Sequence, residues 1–117
     1  MADLIVKSKI KEVAKDFNVS SDVAETLDKM AEEMIKQAIK RADANGRKTL
    51  QAKDAFVGSM NAKEMLVVKS KVKDVAKDHN VSGDFAEALN EMLVWSVAQG
   101  CERANANGRR TLQARDL

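Results

Sequence analysis

The chain has 117 residues and a formal net charge of +2, from 20 Lys and Arg against 18 Asp and Glu. This length excludes a large multidomain enzyme, and a hydrophobic content of 44% excludes a disordered chain. The sequence contains no proline and only five glycines, so long stretches are free to be helical and we expect an all-α fold. No window approaches the roughly 18 consecutive apolar residues of a membrane-spanning helix.

The sequence is a tandem duplication. Residues 3–55 align with residues 65–117 at a constant offset of 62, without a gap, and 30 of the 53 aligned positions are identical. Two copies are too few for a solenoid, so a closed pseudo-dimer is the simpler geometry. We expect the first unit at 1–57, a connector at 58–64 and the second unit at 65–117.

The first element of each copy is predicted to be a short amphipathic helix of about three turns. The apolar residues that recur there at roughly helical spacing are Leu4, Ile5, Ile10, Val13, Ala14 and Phe17. The segment 18–21 interrupts this pattern, and Ser20 or Ser21 is expected to cap the next helix.

A long helix is expected to follow, running to about Ala44, where Asn45 and Gly46 favour a helix end. Its apolar stripe is predicted to consist of Val23, Leu27, Met30, Met34, Ala38 and Ala42, widened by Ala24, Ala31, Ile35 and Ile39. A second short helix is predicted over about 51–57. A long helix of roughly 34 Å exceeds what two short helices of the same copy can cover, so we expect the two long helices to cross in one shared core.

Residue combinations that are typical of catalytic sites are nearly absent from the sequence. The single histidine, His79, aligns with Phe17, which indicates a packed or half-exposed side chain. The single cysteine, Cys101, aligns with Ile39 and is interpreted as a small core residue. There is no metal-ligand spacing and no phosphate-binding glycine loop. We therefore expect no enzyme activity, catalytic residue, cofactor, metal or small-molecule substrate.

Two basic clusters recur in both copies. The first-helix cluster contains Lys7, Lys9, Lys11, Lys69, Lys71 and Lys73. The loop cluster follows each long helix, and there Lys48 and Lys53 become Arg110 and Arg115. Exchange of lysine for arginine keeps the charge, which is typical of contacts to phosphate. A basic run is also commonly just a solvated face.

The segments 44–54 (ANGRKTLQAKD) and 106–116 (ANGRRTLQARD), set in a pattern of short, long and short helices, resemble histone-fold proteins. The chain is most similar to the tailless histones of archaea and bacteria, written twice as a doublet, and the resemblance covers both repeats. It implies tandem histone folds that form an intramolecular handshake pseudo-dimer.

The resemblance also implies roles for individual residues. Arg47 with Asp54, and Arg109 with Asp116, would be structural ion pairs that tie a loop to the following helix. Each loop at 18–20 or 80–82 would lie beside the opposite copy's second loop and offer backbone amides at a helix N-terminus. The implied DNA-binding residues are Lys7, Lys9, Lys11, Ser20, Lys48, Thr49, Lys53, Lys69, Lys71, Lys73, Ser82, Arg110, Thr111 and Arg115.

The outer face of the second long helix differs from that of the first. Glu32, Glu33 and Lys36 are replaced there by Val94, Trp95 and Ala98. Two interpretations are open: the connector or a neighbouring helix covers this patch, or the patch is a self-association surface.

The sequence therefore favours an architectural, chromatin-type protein that binds double-stranded DNA without sequence preference and coats, bends or compacts it. The alternative is a histone-fold interaction module with weak or no DNA binding, which the low net charge favours. Only four aromatic residues are present, which disfavours single-strand or RNA binding by stacking. The N-terminal segment lacks the apolar run of a signal peptide, so we expect a cytoplasmic, nucleoid-associated protein.

Overall fold

The computed structural model describes residues 4–15, 17–55 and 65–117. In the first copy, the elements are α1 (Lys7–Ala14), β1 (Asn18–Val19), α2 (Ser21–Ala44), β2 (Thr49–Leu50) and α3 (Ala52–Ala55). In the second copy, they are α4 (Lys69–Ala76), β3 (Asn80–Val81), α5 (Phe85–Ala106), β4 (Thr111–Leu112) and a 3₁₀ helix (Ala114–Asp116). The mostly helical architecture is confirmed. The predicted connector at 58–64 and the end of the third helix at 56–57 lie outside the described residues.

The first helix of each copy begins later than the apolar spacing predicted. Leu4 and Ile5 precede α1, because Ile5 forms an antiparallel bridge with Val67 of the second copy. The amide of Val6 donates to the carbonyl of Leu66 at 2.7 Å, and the amide of Val68 donates to that of Leu4 at 2.7 Å. Extended backbone therefore joins the two copies just before α1 and α4 begin.

The predicted serine caps are wrong in detail. Ser20 occupies the N-cap position of α2, but its hydroxyl donates to the Asp22 side chain and accepts no hydrogen bond from a helix amide. Ser21 is already helical, whereas its counterpart Gly83 lies before α5, which begins only at Phe85. Glycine has a low helix propensity, which explains the later start. The C-terminus is as predicted, with α2 ending at Ala44 and Gly46 at φ +68°.

Two short parallel strand pairs join the copies, which the expectation of a purely helical fold missed. Strand β1 pairs with β4, with Asn18 opposite Thr111, and β2 pairs with β3, with Thr49 opposite Asn80. Each strand has two residues, too few to give an alternating hydrophobic pattern.

The buried side chains of both copies form one continuous core. Helix α5 packs against α1, α2 and α3, and helix α2 packs against α4 and the 3₁₀ helix, so each long helix is covered by short elements of the other copy. In α2 the fully buried line runs through Leu27, Ala31 and Ile35, whereas Met30 and Met34 are only partly buried. The rest of the predicted stripe is confirmed, because its other residues and most of those that widen it are buried in the core: Val23, Leu27, Ala38, Ala42, Ala24, Ala31 and Ile35.

Each long helix contains a buried polar side chain that accepts a hydrogen bond from the backbone just before the first helix of its own copy. Asp28 Oδ1 accepts from the amide of Leu4 at 2.7 Å. Its counterpart Asn90 accepts from the amide of Leu66 at 2.6 Å. These side chains satisfy backbone donors that the bridge before α1 and α4 leaves unpaired. The signal was present in the sequence, as a polar residue inside an otherwise apolar stripe.

No helix in the described part of the chain has both the length and the hydropathy needed to cross a bilayer.

Candidate nucleic-acid interface

The strand pairs bring the loops of opposite copies together at two ends of the molecule. At the Lys48 end, formed by β2 and β3, the amide of Asn80 donates to the carbonyl of Lys48 at 2.7 Å, and the amide of Ser82 donates to Leu50 at 2.8 Å. At the Arg110 end, formed by β1 and β4, Asn18 donates to Arg110 at 2.8 Å and Ser20 donates to Leu112 at 3.0 Å. Each end thus combines one copy's second loop with the start of the other copy's long helix.

The basic side chains at both ends face solvent. Lys48 and Lys53 are exposed at one end, as are Arg110 and Arg115 at the other. The hydroxyl residues Thr49, Ser82, Ser20 and Thr111 are half-buried.

Matching shallow depressions lie at the two ends. One is lined by Gln51, Ala52, Lys53, Ser82 and Asp84. The other is lined by Ser20, Ser21, Asp22, Gln113 and Arg115. In each depression, a serine near the start of one copy's long helix lies beside a basic residue of the opposite copy.

The two arginine–aspartate pairs are bidentate in the structure. Arg47 donates to Asp54 through Nη2–Oδ1 and Nη1–Oδ2, both at 2.8 Å. Arg109 donates to Asp116 at 2.7 and 2.9 Å in the same arrangement. The Nη1 of Arg47 also donates to the carbonyl of Thr49 at 3.1 Å. This pairing holds each loop against the element that follows it. The next residue in each loop, Lys48 or Arg110, is exposed and takes no part in the ion pair.

The aspartates of these pairs have lowered pKa values. The hydrogen bonds from Arg109 lower the pKa of Asp116 to about 2, despite the opposing effect of burial. The hydrogen bonds from Arg47 likewise lower the pKa of Asp54. Both carboxylates also accept a backbone amide, from Gln113 and Gln51 respectively, at 2.9 and 2.8 Å. The charged form of each aspartate is therefore stabilised by folding.

Acid should destabilise the fold through these two carboxylates. A carboxyl group whose pKa is lowered in the folded state adds stability above its unfolded pKa and loses it as pH falls toward the folded value. We expect the melting temperature to fall between roughly pH 4 and pH 2, the window set by the unfolded pKa near 3.9 and the value of about 2 for Asp116. The double variant Asp54→Asn with Asp116→Asn should melt lower than the parent at neutral pH and lose most of this acid dependence. Thermal melts followed by circular dichroism across this pH range, with Glu33→Gln as a surface control, measure it; parallel curves for parent and double variant would contradict the assignment.

The segments that precede α1 and α4 are bridged to one another, so both helices begin close to the contact between Ile5 and Val67. Neither helix has a capping side chain or an acidic residue in its first turn. Lys7, Ser8, Lys69 and Ser70 are exposed there. The positive end of each helix dipole and the adjacent lysines together favour an anion. We call this region the α1/α4 centre.

Not every lysine of the first-helix cluster faces outward freely. Lys11 Nζ donates to the carbonyl of Phe17, and Lys73 Nζ donates to that of His79 at 2.7 Å. Lys9 Nζ lies 3.2 Å from Glu12 Oε2. Lys11 and Lys73 thus close the loop after their own helix, and their role as DNA contacts stays a prediction. Lys71 is exposed.

The two ends differ at the aligned positions of Phe17 and His79, which the sequence indicated only as equivalent packing positions. At the Arg110 end, the guanidinium carbon of Arg110 lies 5.5 Å from the ring centroid of Phe17, a cation–π contact. At the Lys48 end, His79 is buried and its Nε2 lies 2.8 Å from Asp43 Oδ1 of the other copy. Sequence reasoning found the packed histidine but not its partner, which only the pairing of the copies supplies.

The patch on α5 is partly exposed. Trp95 is 56% exposed and Ala98 is exposed, whereas Val94 is partly buried and packs against the core. Cys101 is half-buried, and burial, with a smaller contribution from Asp116, raises the pKa of its thiol. A raised thiol pKa suits a packing residue and not a nucleophile.

Among the described residues, no group of three or more His, Cys, Asp or Glu side chains could hold a metal ion. The expectation that the chain uses no cofactor and no metal stays a prediction.

The chain is similar in structure to a known protein. The crystal structure of the histone from Methanopyrus kandleri matches it with a TM-score of 0.64 and 20% sequence identity, over 96% of this chain and 89% of that one. No protein-family model matches the sequence, and no curated protein matches it. At this identity the likeness establishes the fold, so the chain has a histone-like fold.

Proposed function

We propose that the chain is a fused pair of histone folds, an intramolecular pseudo-dimer, and that it binds double-stranded DNA through phosphate contacts as an architectural protein. The observation that carries the proposal is the cross-copy strand pairing, which gathers exposed cations and the start of a long helix at both ends of one elongated molecule. The α1/α4 centre adds a region with two uncapped helix N-termini between copies. The domain bounds 1–57, 58–64 and 65–117 are part of this proposal.

The proposed contacts fall into three zones. The Lys48 end supplies Lys48, Thr49, Lys53 and Ser82, and the Arg110 end supplies their counterparts Arg110, Thr111, Arg115 and Ser20. The α1/α4 centre supplies Lys7, Lys9, Lys69 and Lys71. Lysine, arginine, hydroxyl and amide donors of this kind contact phosphate and sugar and carry no direct sequence information. Binding should therefore be indifferent to sequence.

A salt titration tests the proposed function. If one chain contacts about four to six phosphates, the slope of log K against log salt should be roughly −4 to −5, at about −0.9 per phosphate. Fluorescence anisotropy with a random duplex, repeated with scrambled and AT-rich competitors, gives both the slope and the sequence dependence. A flat salt response, or strong preference for one sequence, would contradict backbone binding.

A second candidate function is that of a protein-interaction module with weak DNA binding. The observation that favours it is the exposed Trp95, an apolar side chain that the first copy replaces with Glu33. The net charge of +2 also points to modest DNA affinity. Failure to bind any duplex at low salt would select this function. Both candidates are compatible with a nucleoid-associated location.

A further inference from the structure

A line of residues on the outer side of α5 combines an exposed tryptophan with acidic neighbours. Glu91, Trp95, Ala98 and Glu102 follow one another at steps of four, three and four, so they share one face of the helix. Trp95, Ala98 and Glu102 are exposed and Glu91 is half-buried. We call this line the tryptophan face.

The same positions in the first copy form a line of opposite charge. Lys29, Glu33, Lys36 and Lys40 of α2 align with the four residues of the tryptophan face, and all four are exposed. Lys29 corresponds to Glu91, and Lys40 corresponds to Glu102, so the sign is inverted at both ends of the line. We call this line the lysine face.

We propose that the tryptophan face of one chain binds the lysine face of a second copy of the same chain. With the two helices antiparallel, Glu91 lies opposite Lys40 and Glu102 lies opposite Lys29. Trp95 then lies opposite Lys36, where the indole covers the lysine stem and attracts its ammonium group. Ala98 is small enough to let the helices approach closely.

Pairing of two identical faces from two chains is less favourable than pairing of the tryptophan face with the lysine face. Two tryptophan faces packed on one another would bring glutamates together around the tryptophans, and two lysine faces would bring lysines together. The ion pair that Lys36 makes now, with Glu32 at 3.5 Å, is exposed and therefore readily exchanged.

The contact has a consequence for assembly. Because it joins two different surfaces, it is heterologous, and each chain keeps one free face of each kind. Chains should therefore add head to tail into open oligomers. The residues involved differ from those of the Lys48 end, the Arg110 end and the α1/α4 centre, so the proposal does not depend on DNA binding.

The first test follows the mass and the tryptophan of the full chain without DNA. Sedimentation velocity at increasing protein concentration should show species beyond the dimer. Because Trp95 is the single tryptophan, its emission should shift to shorter wavelength and become less accessible to iodide over the same range. Trp95→Glu should remain monomeric and fully helical, since the first copy carries Glu33 at this position. A parent chain that stays monomeric at millimolar concentration would overturn the proposal.

Charge exchange identifies the partner surface. Lys29→Glu with Lys40→Glu, and separately Glu91→Lys with Glu102→Lys, should each weaken self-association by about tenfold or more. An equimolar mixture of the two variants, or all four changes in one chain with the parental net charge, should restore it. If the lysine-face variant associates like the parent, the partner surface is a different one and the proposal fails. If Trp95→Glu lowers the melting temperature while the parent is monomeric, Trp95 is covered within its own chain and the proposal also fails.

Discussion

The first repeat expressed alone, as residues 1–57, is expected to have no folded monomeric state. In the full chain, α2 is covered by α4, α5 and the 3₁₀ helix, all of which belong to the second copy. Leu27, Ala31 and Ile35 are fully buried there and would be exposed to water without these partners. Burial of each large aliphatic side chain is worth about 1.5–3 kcal/mol, so exposing Leu27 and Ile35 alone costs about 3–6 kcal/mol, which is comparable with the net stability of a small domain.

The fragment should instead fold as a homodimer. The strand residues Thr49 and Leu50 are identical to Thr111 and Leu112, so a second copy of the fragment can supply the missing partner for β1. Helical content and melting temperature should therefore rise with protein concentration. The matched control is the full chain, whose melting temperature should change far less with dilution. A fragment that sediments as a folded, concentration-independent monomer would contradict the shared core.

The helices were predictable because their signals are local. The spacing of apolar residues and the pair Asn45–Gly46 placed the end of α2 at Ala44, as the structure has it. Because the sequence is duplicated, the same apolar pattern predicts each helix once in each copy. That pattern has to suit two related environments. The start of α1 was misplaced because Ile5 is apolar for a different reason: it bridges to Val67 in the other copy.

Contacts between the copies were beyond the reach of sequence patterns. The two-residue strands exist only because a loop of one copy lies beside a loop of the other, and nothing in their own composition requires it. The pairing of His79 with Asp43 has the same origin, since the residues are 36 positions apart and lie in different copies. Likewise, the use of Lys11 and Lys73 as backbone donors depends on the path of the following loop.

The presence of basic residues at both ends was predictable from the sequence, but the contacts that they make were not. The exchange of Lys48 for Arg110 indicated that charge matters at that position. Only the structure adds that Arg110 rests on Phe17, whereas Lys48 has no aromatic neighbour among the described cation–π contacts. A guanidinium held over a ring is better ordered than a free lysine, so the two ends should contribute unequally to binding.

Reversing the charge at both loop positions should remove most of the DNA affinity. Lys48 and Arg110 are exposed, and the neighbouring arginines Arg47 and Arg109 are already paired with aspartates. At about 50 mM salt each phosphate contact contributes about tenfold through counterion release, so Lys48→Glu with Arg110→Glu should weaken binding by about 100-fold or more. The melting temperature should stay near that of the parent, since neither side chain is buried.

The measurement that tests the central claim most directly is the affinity of this variant for one short duplex. A duplex of about 16 base pairs slightly exceeds the 47 Å long dimension of the protein, so it holds one chain and excludes contacts between neighbours. The matched control is Lys29→Glu with Lys40→Glu, which changes the net charge equally but on the outer face of α2. We predict a loss of about 100-fold for the loop variant and much less for the control, with a salt slope shallower by about 2 for the loop variant. Equal losses for the two variants would show that net charge alone attracts DNA, and would contradict a binding surface built from the paired loops.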